Sequence, residues 1–115
     1  MVPSVRRELD MDIESIREKI AKGQYRMTAH ALTRFKERGI TAADMEAAIM
    51  DGEIIEEYPN DYPFPSCLIY GRTGDGRPLH VVISLAPVSH VITVYSPNEK
   101  KWVGHKVRRR EGKEQ

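Results

Sequence analysis

The chain has 115 residues, enough for one hydrophobic core and one domain. Charged residues make up 30% and hydrophobic residues 40%, with a net charge of +1, which is ordinary for a soluble globular protein. No apolar run approaches the roughly 18 residues needed to span a bilayer, and the first residues lack the apolar core of a signal peptide, so a cytoplasmic protein without membrane contact is expected. Cys67 is the only cysteine, which excludes an intrachain disulfide and a cysteine–zinc site. The histidines at 30, 80, 90 and 105 lack close metal-ligand spacing, so neither metal nor cofactor is expected.

Residues 1–9 read as a flexible start, 10–104 as a single domain and 105–115 as a basic flexible tail. Asp10 is placed to cap a helix running to about Lys22, with Ile13, Ile16 and Ile20 on its apolar stripe and Gly23 as its stop. Thr28 and Gly39 bracket a second helix on which Ala31, Leu32 and Phe35 form the apolar stripe. His30, Arg34, Glu37 and Arg38 fall on its other side, the histidine and the two arginines one turn apart. Thr41 to Asp44 has the form of a capping box and opens a third helix that ends at Asp51-Gly52, with Met45, Ala48 and Ile49 buried.

The period then changes from helical to alternating. Glu53–Tyr58 reads as a first strand. Residues 59–65 contain three prolines and form a loop that carries Tyr62 and Phe64. Cys67–Arg72 is a second strand, Thr73-Gly-Asp-Gly76 a hairpin turn, and Leu79–Leu85 and Val91–Ser96 two further strands expected at the centre of the sheet. The architecture predicted is α+β, with three N-terminal helices packed on one face of an antiparallel sheet of about four strands. Alternation places Leu79, Val81, Ile83 and Leu85 on one face of their strand and His80, Val82 and Ser84 on the other. In the last strand it places Ile92 with Val94, and Thr93 with Tyr95.

Two readings of the second helix compete. Its polar side is either a solvated face with a Glu/Arg ion pair, or it holds His30 as an acid or base beside a phosphate gripped by arginine forks. Charge along the chain is also uneven. Lys100 to Arg110 holds six Lys/Arg and no Asp/Glu, whereas residues 44–61 hold seven Asp/Glu and no Lys/Arg. The basic end suits either a polyanion partner or a solubilising extension.

The series Met-Thr-Ala-His30, Arg34, Glu-Arg38-Gly-Ile-Thr, Gly52-Glu-Ile-Ile-Glu-Glu-Tyr58, Cys-Leu-Ile-Tyr-Gly71, Pro-Leu-His80-Val-Val and Ile-Thr-Val-Tyr95 resembles the bacterial domain-of-unknown-function family 4258, over about residues 25–102. That family is similar to the RelE-like ribonuclease toxins (the barnase, colicin and RelE group). The resemblance implies a metal-independent ribonuclease toxin that cleaves RNA, free or on the ribosome, by 2′-hydroxyl attack. It also implies a small zinc-finger antitoxin as partner. On that reading His30 or His80 takes the 2′-proton, Arg34 and Arg38 stabilise the phosphorane, and Tyr95 protonates the leaving oxygen. Arg72, Lys100 and Lys101 bind flanking phosphates, while Tyr62 or Phe64 stacks on an unpaired base. The alternative is a non-catalytic regulatory or protein-binding domain that uses the acidic stretch and the Pro/aromatic loop.

Overall fold

The computed structural model describes residues 12–85 and 88–108. Three helices, α1 (Ile13–Ala21), α2 (Ala29–Arg38) and α3 (Ala42–Met50), lie within one residue or so of expectation at their C-termini. Each starts at a side chain that satisfies a free N–H of the first turn. Asp12 accepts from Glu14 N at 3.0 Å, Thr28 from Ala31 N at 3.1 Å and Thr41 from Asp44 N at 3.0 Å, the last completed into a capping box by Asp44. Asp12 is thus the cap of α1; Asp10 lies outside the described residues. Gly39, at φ 64°, ends α2 in the left-handed conformation.

The strands are β1 (Tyr25–Met27), β2 (Glu53–Tyr58), β3 (Ser66–Arg72), β4 (Pro78–Ser84), β5 (Ser89–Tyr95), β6 (Trp102–Val103) and β7 (Val107–Arg108). The first five form one sheet in the order β1-β5-β4-β3-β2, and β6–β7 is a separate hairpin. The fold is therefore α+β, but the sheet has five strands rather than about four, and the helices do not all precede the strands. The strand missed is β1, which lies between α1 and α2 and pairs in parallel with the start of β5. Three residues between a glycine stop and a helix cap are too few to show alternation. Their N–H and C=O groups nevertheless need partners, and the edge of β5 supplies them. The other three sheet pairs are antiparallel, and β4 and β5 are interior as expected.

One face of the sheet meets the helices. Ile16 and Ile20 of α1, Ala31 and Phe35 of α2, and Met45, Ala48 and Ile49 of α3 pack there against Cys67, Ile69, Leu79, Val81, Ile83, Val91 and Val94. Leu32, expected in the buried stripe of α2, is 51% exposed, because α2 covers the β5 edge of the sheet and only Ala31 and Phe35 point onto it. Parity in β5 also differs from expectation. The ladder pairs Val82 with Thr93 but Ile83 with Val91, so Ile92 is an extra residue at a bulge and Val91, not Ile92, shares the core face with Val94. Helix α3 presses onto β3 where Gly71 leaves room. A Cβ on Gly71 would stand 1.9 Å from the carbonyl oxygen of Ala48. The far end of α3 is closed by Arg17 of α1, whose guanidinium donates to the carbonyls of Ile49 at 3.3 Å and Gly52 at 2.6 Å.

The hairpin carries the described chain through residues 105–108, which were expected to lie in the tail. Gly104 (φ 61°) and His105 (φ 68°) turn it with both residues in the left-handed region, the pattern that keeps two strands in register across a tight turn. Residues 1–9, and the tail from 109 onward, lie outside the described residues.

Candidate functional site

The second face of the sheet is built around His80. Alternation in β4 turns this side chain away from the helices, and the register sets it between Tyr70 of β3 and Tyr95 of β5. The β6–β7 hairpin then covers it. The His80 ring is fully buried, 4.5 Å from the Trp102 ring and 5.2 Å from that of Tyr95, both edge-on. Its Nε2 lies 2.6 Å from the carbonyl oxygen of His105. A carbonyl can only accept, so Nε2 carries the proton and Nδ1 is left with a lone pair. The Tyr95 hydroxyl, 3.3 Å from Nδ1, is then the donor to it. Burial lowers the His80 pKa and raises that of Tyr95, so at neutral pH the imidazole is uncharged and the phenol keeps its proton.

The hairpin is held by the acidic strand beside it. Arg108 donates to Glu56 from Nη2 at 3.0 Å and from Nε at 3.3 Å, and its guanidinium lies 4.5 Å over the Trp102 ring. Burial would raise the Glu56 pKa, but hydrogen bonds from Arg108 and Tyr58 outweigh it and hold the carboxyl below its usual range. Lys106 reaches Glu53 at 2.7 Å. The basic and acidic stretches of the sequence therefore meet in the fold, and two of the basic end's charges are already paired within the chain.

Beside the hairpin a cavity of about 390 Å³ opens, lined by Arg38, Tyr95, Asn98, Lys101, Trp102 and Arg108, with Ser96 at its wall. Among the described residues no carboxylate lines it, though Glu56 pairs with the lining residue Arg108. Asn98 shapes its floor, accepting on its carbonyl from Lys101 N at 2.8 Å and from Trp102 N at 3.0 Å. Arg38 and Lys101 have no carboxylate partner among the described residues, so their charge is available to a ligand. Two cations without a carboxylate partner, Arg38 and Lys101, beside a phenol and an Arg108 already paired with Glu56, suit an anionic oxygen group such as a phosphate.

The other residues singled out in the sequence fall elsewhere. His30 and Arg34 are neighbours on α2, with Arg34 Nε donating to His30 Nε2 at 3.4 Å and Arg34 Nη1 paired with Glu37 at 2.8 Å. The structure brings His80 to Tyr95 and His30 to Arg34, but no hydrogen bond, ion pair or ring contact joins the two pairs among the described residues. Only Arg38, at the end of the His30–Arg34–Arg38 row, reaches the cavity with Tyr95. Arg72 donates to Gly76 O in its own hairpin at 2.8 Å, and Lys100 is exposed beside the cavity without lining it. Tyr62 is 95% exposed and Phe64 is 42% exposed; both border a second, apolar cavity described below.

Trp102 and Asn98 were not expected in a site, and Arg108 only as one charge of the basic end. Their signal in the sequence was Val103-Gly-His-Lys-Val107, two apolar residues around a glycine turn, which marks a hairpin that folds the basic end back onto the sheet. Among the described residues no group of three His, Cys, Asp or Glu is placed to hold a metal ion. Nor is any helix long and apolar enough to cross a membrane.

Fold and site together define a small α+β domain whose sheet carries helices on one face and, on the other, a buried histidine beside a cationic cavity. The chain belongs to the family of the domain of unknown function DUF4258, whose model matches residues 27–96. The match runs from the end of β1 to the residue after β5. It thus includes Arg38, His80 and Tyr95 but stops before the hairpin that completes the cavity. No curated protein and no solved structure matches the chain.

Proposed function

We propose that the protein is a metal-independent ribonuclease of the RelE-like toxin kind, binding RNA phosphate in the cavity of Arg38, Tyr95, Lys101 and Arg108. The supporting observation is that cavity itself, cationic, lined by no carboxylate among the described residues and bordered by a phenol hydrogen-bonded to a neutral histidine. The direction of that hydrogen bond supports one order of proton transfers. Tyr95 donates to His80 Nδ1, so its oxygen is poised to accept. The 2′-hydroxyl passes its proton to Tyr95 as Tyr95 passes its own to His80 Nδ1. The 2′-oxygen bonds to phosphorus, and the P–O5′ bond breaks to leave a 2′,3′-cyclic phosphate. The Lys101 ammonium protonates the departing 5′-oxygen. Arg38 and Arg108 stabilise the charge that grows on the phosphorane, and that charge in turn favours the buried imidazolium. In this scheme Tyr95 is a base through His80 rather than the acid expected from sequence, and His80 acts without touching substrate.

The test is cleavage of single-stranded RNA by purified protein in chelator, with and without ribosomes. Products should end in 2′,3′-cyclic phosphate, and Tyr95→Phe should lower the single-turnover rate by about 100-fold or more. Absence of cleavage under both conditions overturns the catalytic reading. The complete burial of His80 favours a second reading, a non-catalytic RNA- or protein-binding domain, which then takes its place. The proposed antitoxin partner, a small Cys-x-x-Cys protein, is checked by whether a neighbouring gene encodes one that co-purifies.

A further inference from the structure

The second cavity, of about 500 Å³, lies at the other end of the same two elements. Arg38 closes the first cavity from the C-terminus of α2, and Thr28 borders the second from its N-cap. Tyr95 ends β5 in the first, and His90 and Ile92 stand near its start in the second. Ser84, which also lines the second, shares the outer face of β4 with His80. Strand β1 pairs β5 only from Ser89 to Val91; beyond it Thr28 donates to the Ile92 carbonyl at 3.0 Å and α2, not another strand, runs beside the stretch of β5 between the two cavities. Three residues of strand separate Ile92 from Tyr95, about 10 Å, and the row His30–Arg34–Arg38 runs beside them along about 12 Å of helix.

The walls of the second cavity differ from those of the first. It is predominantly apolar and is lined by Tyr62, Pro63 and Phe64 of the proline loop, together with Asp61, whose carboxylate accepts from the Ser66 hydroxyl. A tyrosine 95% exposed is a large apolar face with nothing covering it. The Tyr62 hydroxyl and the His90 ring make no hydrogen bond within the chain among the described residues, so each can pair with the edge of a ligand. An unpaired nucleobase suits this combination. It has two apolar faces for the aromatic rings, a polar rim for a histidine and a hydroxyl, and a phosphate tether leading toward cations.

Given the RNA reading of the first cavity, on which this inference rests, we infer that the groove of Tyr62, Phe64, His90 and Ile92 is a base-stacking subsite. The substrate class is then single-stranded RNA laid across the surface of α2 and β5 between the two cavities, with one phosphate at Arg38 and Lys101 and a nearby base against Tyr62 and Phe64. Base-paired RNA is excluded, because its bases cannot leave the stack to enter the groove.

The test uses a short labelled single-stranded RNA and a series in which each nucleotide in turn is made abasic. Binding is measured by fluorescence anisotropy to wild type, to Arg38→Ala and to the double variant Tyr62→Ala/Phe64→Ala. In wild type, removing the base at one position should weaken binding about 5- to 100-fold, and the fully paired duplex should bind at least as weakly as that abasic strand. In the double variant the same abasic strand should bind no worse than the intact one. If every abasic strand binds wild type like the intact RNA while Arg38→Ala weakens all of them, the cavity holds phosphate but the groove holds no base, and the inference is overturned. An abasic penalty that persists in the double variant overturns it too. If Arg38→Ala binds as tightly as wild type, the RNA reading of the first cavity fails, and the inference fails with it.

Discussion

The helix-covered face of the sheet is filled mainly by aliphatic side chains, with Phe35 of α2 among them, whereas the centre of the opposite face is a cluster of rings: His80 among Tyr70, Tyr95 and Trp102, under a two-stranded hairpin. On the first face, burial and close packing supply the stability, and burial pushes the one core thiol, Cys67, up to about 12, so it keeps its proton. On the second, the interior contains a titratable group, a carbonyl and a phenol in one hydrogen-bonded chain, and its lid is held to the sheet by ion pairs and by Lys106 over the Tyr70 ring, with Arg108 over Trp102 within the lid itself. The first should respond to changes of shape, the second to pH and salt.

The largest effect should come from shape on the helix face. In Gly71→Ala the new methyl would stand 1.9 Å from Ala48 O and 2.6 Å from Ala48 C, and backbone cannot move aside as a side-chain end can. We expect a loss of about 3 kcal/mol or more in urea unfolding, against the 5–15 kcal/mol typical of a whole domain. A loss under about 1 kcal/mol would mean that α3 does not press on β3 as described.

Next comes His80→Ala on the ring face. It leaves a void among three aromatics and strips the His105 carbonyl and the Tyr95 hydroxyl of their partner, for an expected cost of about 2–4 kcal/mol at pH 7.5.

A smaller effect is specific to the ring face and should appear with pH. Burial lowers the His80 pKa in the fold, with Glu56 and Arg108 pulling in opposite directions, while the unfolded chain titrates near 6.5. Between the folded value and about 6.5 the unfolded state binds more protons, so stability is complete above that window and is lost as pH falls through it. The slope from this one group is at most about 1.4 kcal/mol per pH unit. In unfolding curves at successive pH values, wild type should therefore lose its advantage over His80→Ala as the solution is acidified. A constant difference would place the charged imidazolium in the fold without penalty, contrary to its burial. Smallest of all, Arg108→Ala should cost about 1 kcal/mol or less in low salt, and less still in high salt, since the pair with Glu56 is partly solvated.

The same contrast explains what the sequence disclosed. The helices, β2 to β5 and the inward residues of β4 follow from caps, glycine stops and period, because those signals are local and the helix face is mainly aliphatic. Three features needed tertiary information. Tyr25–Met27 is a strand only because the β5 edge lies beside it. Ile92 leaves the core face because of one bulge. Arg108 reaches the cavity only because Gly104 and His105 reverse the chain, so a stretch read by composition as tail becomes part of the lid. His80 was singled out by its place on a central strand. That it is sealed in depends on a hairpin 22 positions further on, where Trp102 begins. His30 and Arg34 do stand together, one helical turn apart as their spacing requires, but spacing along one helix cannot say which cavity that helix faces.

The central claim is that the cavity beside the hairpin holds RNA phosphate, and Trp102, the one tryptophan of the chain, stands in its wall to report it. Its fluorescence should change on titration with single-stranded RNA, and the logarithm of the affinity should fall linearly with the logarithm of salt concentration. Replacing Arg38 or Lys101 by alanine should weaken binding and reduce that slope by about one each. Binding of wild type and both variants with the same affinity and the same slope would contradict the assignment of this cavity to phosphate.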